Sequence, residues 1–188
     1  MDRRKIEQGV RLILEGLGED LEREGLVDTP RRVADMCAEI FDGLGCDPTE
    51  ELKLYSTKNE DELILIKDIP FHSICEHHLL SFFGKVHIAY IPAKDRITGF
   101  SNLVRVVNIL SHRPQLQERL TTDIADALVE VLRPKGVLVV IEAEQMCLTM
   151  RGVRKPGTLT MTSAMRGILR QEATRLEAFS MIMGRVHS

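Results

Sequence analysis

Residues 137–143, VLVVIEA, form an apolar run set off by Pro134 and Gly136. A run this short and this apolar reads as a buried strand rather than a helix. It limits what its neighbours can be. Residues 62–69 (ELILIKDI) read as a strand, and Leu79 to Pro92 as a second strand region around Gly84. Residues 101–111 look helical. A new start at Arg113-Pro114 opens a long helix through Leu116, Leu120, Ile124, Ala127, Leu128 and Val131, which Pro134 and Gly136 end. Residues 146–151 and 158–163 read as further strands around the turn Val153–Gly157, and a last helix covers about 172–183. The order of strands, helices and strands implies an α+β chain with a largely antiparallel sheet.

Ahead of this lies helical sequence. Ile6, Val10, Ile13, Leu14 and Leu17 recur at helical spacing. Asp28-Thr29-Pro30 is a helix start, with Thr29 as cap and Pro30 at the first helical position. That helix runs through Val33, Met36, Cys37, Ile40 and Phe41 to Gly43. We therefore expect a helical extension over residues 1–60 and a sheet domain over 61–188.

Composition narrows the function classes. The 188 residues carry 25 Lys and Arg against 28 Asp and Glu, for a net charge of −3. Residues 1–61 are net −7 and residues 62–188 net +4, so an anionic ligand is expected on the later part. With no Trp and 4 % aromatics, a stacking platform for nucleic acid is not expected. No apolar run approaches the roughly 20 residues that span a bilayer, and MDRRKIEQG lacks a signal-peptide core. The expected location is the cytoplasm. Four cysteines are too few for a disulfide scaffold, so they pack, ligate or react.

Chemistry concentrates in Cys75-Glu76-His77-His78. A thiolate and an imidazole at i and i+3 reach one metal from a tight turn, a donor mix that suits zinc, though iron fits the same ligand types. Cys147 is the other cysteine in polar surroundings. Two Cys and one His leave a fourth zinc position open, the catalytic pattern, and zinc so held lowers the pKa of bound water to about 7. His77 beside the ligands would move protons. Spacing alone also admits a histidine-rich loop beside a buried cysteine, or a nucleophilic Cys75.

Ser101 and Arg105 lie one turn apart at a helix start, which favours anions. With Arg32, Arg151 and Arg154 they would clamp a polyphosphate, although each alone is an ordinary surface residue. Gln117-Glu118 places a carboxylate beside an amide. A carboxylate accepts both N1–H and the 2-amino group of guanine, and an exposed helix face is the other reading.

These residues lie in VDTPRRVADM (27–36), ICEHHLLSFFGKVHIAYIP (74–92), GFSNLVRVV (99–107), RPQLQERLT (113–121) and MCLTMRGVRKPG (146–157). In these motifs the chain resembles the GTP cyclohydrolase I family, from about residue 5 to 183. The resemblance implies a tunnelling fold (T-fold): a four-stranded antiparallel sheet with helices on one face, behind an N-terminal helical extension. It implies a decamer of two stacked pentamers with active sites between subunits. It implies conversion of GTP to 7,8-dihydroneopterin triphosphate and formate. Carried over, Cys75, His78 and Cys147 are zinc ligands, His77 transfers protons, Glu118 with Gln117 holds the guanine edge, and Arg32, Ser101, Arg105 and Arg151 serve the triphosphate.

Two positions depart from the family. Gln145 stands where the family has an acid–base His, and Asn102 where it usually has a phosphate-binding Lys. An amide does not titrate near neutral pH, and losing a general acid or base costs about 10²–10⁴ in rate. Three outcomes follow: the full reaction, arrest at a ring-opened formamidopyrimidine or use of another purine nucleotide, or nucleotide or pterin binding without turnover.

Overall fold

Four long strands generate the sheet, and the middle two are apolar on both faces over much of their length. In the computed structural model, which describes residues 1–56, 61–93 and 96–184, the chain forms two compact units, Met1–Asp42 and Gly43–Ser188. The division falls at 42/43 rather than near 60. Leu52 accounts for part of the difference, because it is buried in the sheet unit's core. So does Arg113, which donates to the carbonyls of Gly43 and Cys46.

The first unit holds α1 (Arg3–Gly16) and α2 (Thr29–Ile40), which pack together. Asp2 caps α1 by accepting from the Lys5 N–H, and Arg3 pairs with Asp35 at 2.8 Å. Thr29 does not cap α2 as expected. It is the first helical residue, and its hydroxyl donates to the Gly25 carbonyl.

The sheet unit runs β1 (Ile64–Cys75), β2 (Ser81–Ile91), α3 (Phe100–Ser111), β3 (Pro114–Gln115), α4 (Gln117–Leu132), β4 (Gly136–Gln145), α5 (Met146–Thr149), β5 (Leu159–Gly167) and α6 (Glu172–Met183). Its sheet order is β3-β1-β2-β4-β5. The four long strands are antiparallel neighbours, and the two-residue β3 adds a parallel pairing to the end of β1. This is the ββααββ order of the T-fold, with the α3–α4 pair inserted between the second and third long strands.

One sheet face carries Ile69, Phe71, Phe82, Ile88, Tyr90, Val139 and Ile141. It packs on Leu103, Val106 and Leu110 of α3 and on Leu120, Ile124 and Leu128 of α4. Each such aliphatic side chain contributes about 1.5–3 kcal/mol when fully buried. α6 adds a second, smaller cover: Ala178 and Ile182 cluster with Ala89, Ile91, Leu138 and Val140 of the opposite face. β2 and β4 approach closely at Gly84, where a Cβ would collide with the Glu142 carbonyl.

Three local expectations change. Arg113-Pro114 does not open the long helix, because Pro114 and Gln115 pair with β1 and α4 begins at Gln117. The His-rich stretch begins inside β1, because Phe71, Ser73 and Cys75 keep the inward alternation and only residues 76–80 turn. Residues 146–149 form a helical turn, not a strand, since β4 ends at Gln145.

Candidate active site

Cys75 closes β1 facing the core and is 5 % exposed. The chain then reverses in a tight turn: the Leu79 N–H donates to the Cys75 carbonyl, and the Cys75 N–H donates to Leu80. Leu79 adopts φ 53°, an unusual conformation for a branched residue, and the reversal brings His78 back toward Cys75. α5 delivers Cys147 from across the sheet. The ligand atoms of Cys75, His78 and Cys147 all lie within 4.8 Å of one another.

That spacing suits a metal ion. Two sulfurs bound tetrahedrally at 2.3 Å lie about 3.8 Å apart. Burial first, and then Cys75 alongside, push the Cys147 thiol above its usual range. A cation between the two sulfurs reverses that preference. The site residues therefore form a Cys–His–Cys group able to hold a metal ion.

Beside it opens a cavity of about 480 Å³, lined among others by Cys75, His77, Gln117, Glu118, Gln145 and Cys147. His77 and Glu118 are exposed at its rim. The first turn of α4 has no side-chain cap, so its N–H groups add partial positive charge there. Arg119 and Glu76 form a bidentate ion pair at 2.6 and 3.1 Å, which ties the Cys75–Leu80 turn to α4. Sequence reasoning missed this pair; its only sign was an acid between the candidate ligands and a base beside Glu118.

The remaining candidates separate. Gln117 is 3 % exposed and its amide is spent inside the protein. Nε2 donates to the carbonyls of Ile141 and Thr160 and to Thr162 Oγ1, and Oε1 accepts from Gln145 at 2.6 Å. It supports the wall, so its side-chain amide is not free to meet a guanine edge. Asn102 is likewise turned inward: it is buried and donates to Thr98 Oγ1 at 3.1 Å, so its amide does not reach for phosphate.

Ser101 and Arg105 are exposed on α3 outside the cavity lining, and Arg105 pairs with Glu51. Arg32 belongs to the first unit and pairs with Asp28. Arg151 reaches His78 Nε2 at 2.8 Å. Glu144 accepts from the Thr149 hydroxyl and the Gly157 N–H, so it frames the 146–157 loop and does not face the cavity beside Gln145.

Fold and site together define a class: a T-fold protein with a Cys–His–Cys group, able to hold a metal ion, beside a polar-rimmed pocket. The model of the GTP cyclohydrolase I family matches residues 6–183. The chain is 60 % identical to the GTP cyclohydrolase 1 of Carboxydothermus hydrogenoformans over 183 residues, covering 97 % of this chain and 95 % of that one. It is 57 % identical to that of Clostridioides difficile over 184 residues, covering 97 % of each. It is also 57 % identical to that of Bacillus subtilis over 173 residues, covering 92 % and 91 %. The chain belongs to the GTP cyclohydrolase I family and is a hydrolase of that type.

Proposed function

We propose that Cys75, His78 and Cys147 hold zinc with one position open, and that the chain hydrolyses GTP at C8 to give 7,8-dihydroneopterin triphosphate and formate. The observation that carries this is the convergence of the three ligand atoms beside the cavity. Bound zinc supplies Lewis acidity and an acidified water at the cavity wall. Glu118 accepts from N1–H and the 2-amino group, which selects guanine and aims C8 at the ligand cluster. His77 gives and takes protons at the opening imidazole ring. Arg32, Ser101, Arg105 and Arg151 bind the triphosphate.

Ser101 and Arg105 lie outside the cavity of their own chain, which supports a site completed between subunits. Among the described residues β5 pairs with β4 alone, which leaves an edge open for a neighbouring chain. The family resemblance implies that this assembly is a decamer of two stacked pentamers. Among the described residues no helix is long and apolar enough to cross a membrane. We place the enzyme in the cytoplasm.

A second reading rests on Gln145, whose amide cannot shuttle protons: the reaction stops at the ring-opened formamidopyrimidine. Incubation of the zinc-loaded protein with GTP separates the two. Formate release with pterin fluorescence supports the full reaction. Loss of GTP without either product supports arrest, and no consumption of GTP overturns both.

A further inference from the structure

The amide of Gln145 has a defined orientation, and that orientation follows from acceptors elsewhere in the wall. Ile141 and Thr160 present backbone carbonyls to Gln117, at 3.1 and 2.9 Å. Carbonyls only accept, so the end of Gln117 facing them is the NH₂ group. Its Oε1 therefore faces Gln145, which must donate, and Gln145 Nε2 does so at 2.6 Å.

The surrounding hydroxyls fit the same directions. Thr121 spends its proton on the Gln117 carbonyl at 2.6 Å, so Thr162 donates to Thr121 at 2.7 Å. Thr162 keeps lone pairs for Gln117. Each oxygen in this chain of bonds thus has its donor assigned, and reversing Gln145 would set two amide oxygens against each other.

The consequence lies at the free end of Gln145. Its side chain makes no other hydrogen bond among the described residues, and it lines the cavity. Beside the second N–H of Nε2 it thus presents an acceptor oxygen that neither titrates nor turns. In the nucleotide of the proposed function, on which this step rests, the donors are N1–H, the 2-amino group and the two ribose hydroxyls. N3, N7, O6 and the fully ionised phosphates only accept. Glu118 takes the first two donors, which leaves the hydroxyls.

We propose that Gln145 Oε1 accepts a hydrogen bond from a ribose hydroxyl, making Gln145 a sugar-reading residue, and that Gln117 is the positioning residue that orients it.

The test measures binding by the full-length, zinc-loaded protein in a His77→Ala background, so that bound nucleotide is not consumed. Affinities are compared for GTP, 2′-deoxy-GTP, 3′-deoxy-GTP and inosine triphosphate, with Gln145 intact or changed to Leu or His. One neutral hydrogen bond corresponds to about 3- to 10-fold in affinity. With Gln145 intact, GTP should exceed one deoxy analogue by that factor beyond the other. Gln145→Leu should abolish that preference while leaving the preference for GTP over inosine triphosphate, which Glu118 supplies. Gln145→His should keep most of the sugar preference at pH 8, because its ring N–H can donate to Gln117 while the second nitrogen accepts. A sugar preference that survives Gln145→Leu overturns the proposal. So does loss of the inosine discrimination in its place, which would mean that the oxygen reads the 2-amino group. If Gln145→Leu does not fold, the His variant and the analogue series on the parent decide. Failure of the parent to bind GTP would overturn the proposed function as well, an outcome distinct from GTP binding without sugar preference.

Discussion

Arg151 donates a hydrogen bond to Nε2 of His78 at 2.8 Å. A guanidinium has no acceptor, so this contact consumes the Nε2 lone pair and leaves the proton of a neutral ring on Nδ1. A metal needs a lone pair on one of the two nitrogens. If it takes Nε2, it displaces Arg151. If it takes Nδ1, the proton moves to Nε2 and the contact ends as well. Metal binding through His78 and the Arg151–His78 bond are mutually exclusive, and loading the site would release the Arg151 guanidinium. Arg151→Gln should therefore bind zinc several-fold tighter in competition with a chromophoric chelator. The gap should narrow with added salt as charge repulsion is screened. The same variant should bind inorganic triphosphate more weakly.

The ligand assignment has its own test. Cys147→Ser and Cys75→Ala should each reduce bound zinc, measured by elemental analysis after dialysis, to a small fraction of the parent's. Chelator treatment of the parent should stop formate release, and returning zinc should restore it. Normal zinc content in Cys147→Ser would remove that residue from the ligand set.

Glu118 is exposed at the cavity rim, and its carboxylate is the strongest acceptor proposed for guanine. Hydrogen bonds to a charged group contribute about 1.5–3 kcal/mol. Glu118→Gln should weaken GTP binding about 10- to 100-fold, read by calorimetry. Inosine triphosphate, which lacks the 2-amino group, should lose less.

Away from the site, His87 offers a pH test. The strand bulge at Asp68, with φ 60°, points its N–H at His87 Nδ1 at 3.1 Å, so the neutral ring is the bonded form. Burial holds the pKa of His87 below its usual range, against the pull of Asp68 and Glu142. The unfolded chain takes up the proton first. The contribution of His87 is thus complete above its unfolded pKa of about 6.5 and is lost as pH falls from there toward the depressed folded value. The thermal midpoint should drop over that interval, and His87→Gln, which retains an acceptor, should flatten the drop.

Much of the architecture was legible in sequence from apolar runs and the breakers between them. α6 lies over the expected residues, and the VLVVIEA run lies inside β4. The ligand trio was legible because cysteine and histidine are rare and their spacing has chemical meaning. What was missed depends on the company a side chain keeps. Nothing local in QLQERL says that Gln117 turns inward and Glu118 outward, because the decision belongs to carbonyls on β4 and β5. Asn102 reads as a surface residue until Thr98 supplies a buried partner. Met146, Leu148 and Met150 alternate as they would in a strand, yet residues 146–149 form a helical turn, because alternation over so few residues does not separate the two forms.

The metal-ligand cluster also has a mechanical meaning. Cys75 and Cys147 stand 72 positions apart in the chain, with β2, α3, α4 and most of the core between them. An ion gripped by both would be a cross-link around that long loop, restraining the unfolded chain much as a disulfide does. A metal ion held there would act as a removable staple on the fold. The loaded protein would resist unfolding for as long as the ion remained, and chelation would withdraw durability together with whatever chemistry the ion supplies.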